Sequence, residues 1–106
     1  MEHSELMRRV EAIADRLKRD YHAQTVILYG SRATGIESPD SDTDLLVVAP
    51  TREKFFERMT TVLRLVRDLY KGLALSPIVL TPEEINQRLN QDDPFVKEIL
   101  ASGIKL

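Results

Sequence analysis

Cysteine and tryptophan are both missing from the sequence. Without cysteine, the chain has no disulfide bonds, no thiolate metal sites and no cysteine nucleophile. The sequence also has no large excess of one charge sign, because 15 basic residues are balanced by 17 acidic residues. The resulting net charge of −2 provides no broad positive field, so we do not expect nucleic acid as a partner.

Long apolar stretches are also missing. The longest runs free of charged residues are 11 residues long, at 21–31 and 72–82, whereas a bilayer-spanning helix needs about 20. The first residues of the chain lack the apolar run of a signal peptide. Together with a hydrophobic content of 42% in 106 residues, these absences predict one domain spanning 1–106, cytoplasmic and without a membrane partner.

Apolar periodicity and turn residues predict the order helix, strand, strand, helix, strand, helix, helix. The corresponding segments are 4–21, 25–29, 43–49, a helix capped by Thr51 and ended by Gly72, 75–80, a helix begun by Thr81, Pro82 and Glu84, and a helix from Asp93 to Gly103. Pro77 favours an edge or a bulge for the third strand, because proline has no amide N–H. The fold class is therefore α+β, a small mixed sheet of three or four strands flanked by helices.

A turn-rich segment follows the first strand and begins with Gly30 and Ser31. Glycine allows a sharp turn and a close approach of backbone to ligand. Ser31 presents its amide and hydroxyl at the start of a short helix, a position that suits an anion. Arg32 adds a positively charged fork beside it. These three residues are the candidate nucleotide-binding residues.

A pair of carboxylates, Asp42 and Asp44, stands at the start of the second strand. Residues two apart on a strand point to the same face, so the carboxylates are expected side by side. Mg²⁺ in proteins is usually held by one or two carboxylates, with phosphate oxygens and waters. Such a pair alone is more typical of a solvated strand end, but its combination with a preceding Gly-Ser turn indicates a metal and phosphate site.

The arrangement of Gly30-Ser31, ten residues, and Asp42-x-Asp44 resembles the signature of the DNA polymerase β-like nucleotidyltransferase superfamily. More narrowly, the chain resembles the minimal nucleotidyltransferases often paired with HEPN-domain toxins. The resemblance extends over nearly the whole chain, although only the segment from Gly30 to Asp44 is specific. It implies a nucleotidyltransferase (polymerase β-like) fold.

The resemblance also implies roles for the matched positions. Gly30 and Ser31 would hold the β- and γ-phosphates of a nucleoside triphosphate, with ATP the expected substrate. Asp42 and Asp44 would be the catalytic residues and would bind Mg²⁺ or Mn²⁺. Arg32 would support either the phosphate site or the loop.

Two positions depart from the family pattern. Thr34 stands where family members often have arginine, and Ser76 stands where active members usually have a third aspartate on the third strand. No Asp or Glu lies between Asp68 and Glu83, so no nearby carboxylate substitutes for it. The third carboxylate would hold one metal ion and accept the proton of the attacking hydroxyl, which implies slower chemistry.

Three functional hypotheses remain. The first is an enzyme that transfers AMP to a hydroxyl of a partner, expected to be a HEPN-domain toxin that the chain neutralises as antitoxin. The second is an impaired NTP and Mg²⁺ binder, or an antitoxin that acts by protein binding alone. The third, a nucleic-acid end modifier, is disfavoured by the charge.

Glu37 and Asp40 are loop candidates for orienting a metal-bound water, and the apolar residues of the last segment allow a homo-oligomer.

Overall fold

The computed structural model describes residues 2–35 and 41–106, and all structural statements below concern these ranges. The elements in chain order are α1 (His3–Asp20), β1 (Thr25–Tyr29), α2 (Ser31–Thr34), β2 (Thr43–Val48), α3 (Phe55–Leu65), β3 (Leu75–Leu80), α4 (Pro82–Asn90), α5 (Pro94–Ser102) and β4 (Ile104–Lys105). In this part of the chain the strands form one four-stranded sheet in the order β3-β2-β1-β4. The predicted α+β class is confirmed.

Strand β2 lies inside the sheet between an antiparallel and a parallel neighbour. It pairs antiparallel with β1 and parallel with β3, and α3 provides the crossover that a parallel pair requires. Strand β3 is an edge strand, and its register with β2 runs unbroken past Pro77. The prediction of a sheet edge at Pro77 is therefore confirmed, without a bulge.

Alternation along the strands divides the core between the two faces of the sheet. One face packs against α1 and α3 through Val26, Leu28, Leu45 and Val47. The other face, called here the α4–α5 face, carries a second cluster made of Ile27, Leu46, Val48, Leu80, Val96 and Ile99. Asp44 precedes Leu46 by two residues and therefore belongs to the α4–α5 face.

Two predictions for α3 are wrong. Its N-cap is Lys54, without a side-chain hydrogen bond, rather than Thr51. The hydroxyl of Thr51 instead accepts a hydrogen bond from the amide of Glu53 at 3.1 Å, in a local turn before the helix. The helix also ends at Leu65, well before Gly72.

Side chains of α1 bind backbone carbonyls at and after the end of α3. Nη1 of Arg16 donates to the carbonyl of Leu65 at 2.9 Å. Nη2 of Arg9 donates to the carbonyl of Leu69 at 3.0 Å. Helix-terminal carbonyls need such partners when the backbone stops providing them. The segment after Leu65 continues as turns held by α1.

The last three predicted cap positions are confirmed. Thr81 and Glu84 form a reciprocal capping box at α4, and Asp93 accepts hydrogen bonds from the first amides of α5. Gly103 ends α5; a Cβ atom there would clash with Ile27 and lie 2.6 Å from the carbonyl oxygen of Ile99.

The two-residue strand β4 was not predicted as an element of its own. It follows α5 and pairs antiparallel with the free edge of β1. No helix in the described ranges has the length and apolar character needed to cross a bilayer.

Candidate functional site

The turn between β1 and α2 is built around Gly30. Its backbone angles are φ 77° and ψ −156°, a combination that is essentially restricted to glycine. A Cβ atom on Gly30 would lie 2.5 Å from Oδ2 of Asp44. The carboxylate of Asp44 thus lies directly against the Gly30 turn, as the spacing of the motif predicts.

Helix α2 is one turn long and begins at Ser31, which is partly exposed. The carbonyl of Gly30 accepts from the amides of Ala33 and Thr34 at 3.1 and 3.3 Å. The hydroxyl of Thr34 donates back to the carbonyl of Ser31 at 3.1 Å. Thr34 stands where the resemblance implies an arginine, and its side chain stabilises the turn by a hydrogen bond within it.

Arg32 is buried, with 6% of the residue exposed. Its Nη2 donates to the carbonyl oxygen of Ser41 at 3.0 Å, so the guanidinium connects α2 to the residues that lead into β2. Its buried Nε has no hydrogen-bond partner among the residues that the structure describes. This placement favours the loop-supporting role of the two that the resemblance implies.

The two carboxylates differ in their environment. Asp42 is exposed and lies one residue before β2 rather than within it. The hydrogen bonds between β2 and its neighbour begin only at Thr43, whose amide donates to the carbonyl of Ala74. Asp44 lies within β2 and is partly buried. Burial raises the pKa of Asp44, and the charge of Asp42 raises it further. The negative charges of the two carboxylates therefore repel each other, and a divalent cation bound by both would relieve that repulsion.

Asp44 is flanked on both sides of β2. Its register partner on β1 is Tyr29 and its register partner on β3 is Ser76. Paired residues on neighbouring strands project from the same face. Burial raises the pKa of Tyr29 to about 12, and the charge of Asp44 contributes, so the phenol stays protonated near neutral pH.

Ser76 therefore lies where the sequence places the missing third carboxylate. In residues 2–35 and 41–106, no three His, Asp or Glu side chains are grouped so that they could hold a metal ion. The site offers two carboxylates and a hydroxyl. Glu37 and Asp40, the loop candidates, lie outside the described residues.

Tyr29 lies beside Asp44 in the sheet but is not among the residues predicted for the site. The signal was present, because Tyr29 follows Ile27 by two residues on β1 and so shares its face. Its ring packs against the second apolar cluster on the face that carries Asp44.

In a comparison with protein families, residues 10–106 match the family described as nucleotidyltransferase domain. The matched region runs from α1 to the end of β4 and includes the Gly30 turn and both carboxylates. No curated protein matches the sequence. Since the match covers most of the chain and the fold agrees with it, the protein belongs to the nucleotidyltransferase domain family.

Proposed function

We propose that the chain transfers a nucleoside monophosphate, with AMP the expected group, from a nucleoside triphosphate to a hydroxyl of a partner protein. Membership of the family supports nucleotidyl transfer in general. The observation that carries the finer proposal is the contact of the Asp44 carboxylate with the Gly30 turn. A metal held by the carboxylate would lie beside any phosphate held by the turn.

In this proposal the residues have separate tasks. Gly30 and Ser31 bind the β- and γ-phosphates through backbone amides and the serine hydroxyl. Asp42 and Asp44 hold Mg²⁺ or Mn²⁺, which neutralises negative charge on the triphosphate when bound. An acceptor hydroxyl oxygen attacks the α-phosphorus in line, a new P–O bond forms, and pyrophosphate leaves as its bond to the α-phosphorus breaks.

The acceptor hydroxyl is proposed to come from another protein. Residues 1–106 form one minimal transferase domain in this proposal. The large apolar side chain of Leu100 on α5 is 45% exposed and suits a protein contact. The partner expected from the resemblance is a HEPN-domain toxin, and the chain would be its antitoxin. Self-association is the other use proposed for the exposed side of α5.

A second candidate function rests on Ser76. A hydroxyl in register with Asp44 leaves two carboxylates where three are usual for two metal ions. In that case the chain binds NTP and Mg²⁺ without efficient turnover, or neutralises its partner by binding alone. The first candidate requires covalent labelling of the partner, and the second does not.

The test uses α-phosphate-labelled ATP, Mg²⁺ and the protein encoded by the neighbouring gene. Transfer predicts label on the partner that disappears in Asp42→Asn and Asp44→Asn variants and persists in Asp15→Asn, an exposed carboxylate on α1. A stable, neutralising complex without label supports the binding module. Label that persists in both site variants overturns the assignment of these carboxylates.

A further inference from the structure

An exposed aromatic ring lies beside the carboxylate site. Phe95, the second residue of α5, is 42% exposed. Its ring stands edge to face with the ring of Tyr29, with centroids 5.7 Å apart and an interplanar angle of 88°. Tyr29 is in turn the register partner of Asp44. Tyr29 therefore links the exposed ring of Phe95 to the strand pair that carries Asp44.

The direction of α5 places Phe95 at the functional end of the sheet. Leu100 and Gly103, near the end of α5, line a cavity with Thr25 and Ile27 at the start of β1. Phe95, at the other end of the helix, contacts Tyr29 at the end of β1. The helix therefore spans the α4–α5 face from the Asp44 end to the opposite end.

The position of Phe95 suits a nucleobase. Tyr29 is the register partner of Asp44, and its ring centroid is 5.7 Å from that of Phe95. Phe95 is thus separated from the carboxylate by one residue, near the Gly30 turn but not part of it. A triphosphate on the Gly30 turn could extend its base toward Phe95.

We propose that Phe95 is the residue on which the nucleobase of the substrate stacks. This inference rests on the proposed function and names its substrate class, a purine nucleoside triphosphate. The edge-to-face contact with Tyr29 holds the phenylalanine ring and leaves ring surface exposed to solvent. Stacking on a flat ring tolerates any base but favours the larger surface of a purine.

The chain offers a matched control for this aromatic residue. Phe56 is also exposed, at 79%, and also stands edge to face with another ring, that of Phe55, at 5.3 Å. It lies on α3, which follows the end of β2 opposite Asp44. An effect of general loss of exposed apolar surface would appear in Phe56→Ala as well.

The experiment measures dissociation constants with Mg²⁺ by calorimetry for ATP, GTP, CTP, UTP and inorganic tripolyphosphate. For Phe95→Ala we expect about tenfold weaker ATP and GTP binding, within the range of base–aromatic stacking, and unchanged binding of tripolyphosphate. Phe95→Trp should bind ATP at least as tightly as the wild type. Phe56→Ala should bind all ligands as the wild type does.

Three results are adverse, and they have different meanings. If ATP binds Phe95→Ala as tightly as the wild type while tripolyphosphate still binds, the stacking inference is overturned and the proposed function survives. If neither ATP nor tripolyphosphate binds the wild type, the proposed function itself fails. If Phe95→Leu, which keeps apolar volume without a ring, restores ATP binding, the contact is simple burial and stacking is rejected.

Discussion

Ser76 on β3 is the direct register partner of Asp44 on β2, so a hydroxyl stands beside the carboxylate at the candidate site. Replacing Ser76 with Asp would create a third carboxylate on the same face. We expect tighter Mn²⁺ binding and, where transfer is limited by the missing base, about 10²- to 10⁴-fold faster transfer. Metal titration and single-turnover labelling measure the two effects.

The same variant has an internal check. Without metal, a third negative charge beside Asp42 and Asp44 should lower the melting temperature, because like charges repel. Added Mn²⁺ should restore it. Thr60→Asp, an exposed polar residue within α3, provides the control. Metal affinity that is equal in Ser76→Asp and the wild type would show that Ser76 does not face the carboxylates.

Gly30→Ala should lose both stability and nucleotide binding. The new methyl group would meet Oδ2 of Asp44 at 2.5 Å, in addition to the strain of a glycine-only backbone conformation. We expect a loss of about 2 to 4 kcal/mol in the free energy of unfolding, from strain and overpacking together. Urea denaturation measures this loss.

Two further variants separate the causes of the Gly30→Ala effect. Gly72→Ala places a methyl group at φ 82° with no atom within 4 Å, so it should show backbone strain without a clash. In the double variant Gly30→Ala, Asp44→Ala, part of the lost stability should return, because the clashing group is gone. Fully additive losses would contradict the contact.

Arg32→Lys tests whether the guanidinium supports the loop or the phosphate. Lysine keeps the charge but cannot reproduce the planar fork that bonds the carbonyl of Ser41. Because Arg32 is buried, we expect about 1 to 2 kcal/mol lower stability even without nucleotide, the cost of a lost charge-assisted hydrogen bond. Thermal melts without ligand measure it. Unchanged stability with weakened tripolyphosphate binding would instead assign Arg32 to the phosphate.

Glu84 should make stability depend on acid pH. The hydrogen bond from Arg58, at 2.6 Å, holds the pKa of Glu84 below its ordinary value of 4.5. A depressed pKa in the folded state means that the stabilisation is present above pH 4.5 and is lost as the pH falls through the lower folded value. Glu84→Gln, which can keep the capping box, should therefore flatten the acid side of the stability profile.

The size of this effect is limited by solvent. The Glu84 side chain is 36% exposed, so at pH 7 we expect a loss of about 1 kcal/mol, less than for a fully buried ion pair. Urea denaturation at several pH values measures it. Glu83→Gln, an exposed neighbour in the same helical turn, should leave the profile unchanged; an equal effect there would exclude the ion pair as cause.

Local signals in the sequence were sufficient for the features that depend on nearby residues. The capping box at Thr81 and Glu84 is such a short-range pattern. The interest in Ser76 came from the family resemblance, and its register with Asp44 comes from the structure. The contact of Asp44 with the Gly30 turn follows from strand alternation and the spacing of the motif.

Other features depend on distant residues and leave no local pattern. Helix α3 ends where Arg16, 49 positions earlier in the chain, takes the carbonyl of Leu65. The hydrogen-bond acceptor of buried Arg32 is the backbone carbonyl of Ser41. Every residue has such a carbonyl, so the side chain at position 41 does not reveal the contact. Strand β4 is two residues long and pairs with the open edge of β1. Two residues are too few to show the apolar alternation that predicts a strand.

The α4–α5 face is covered by segments that follow the strands β1 to β3 in the chain. Strands β1 and β2 and the Gly30 turn emerge from the ribosome before Pro82, so Asp44 first shares an open apolar surface with Ile27 and Leu46. A nascent chain at that stage has the Gly30 turn and the carboxylates but lacks the aromatic ring of α5. A chain that stops before α5 should therefore bind ATP no more tightly than tripolyphosphate.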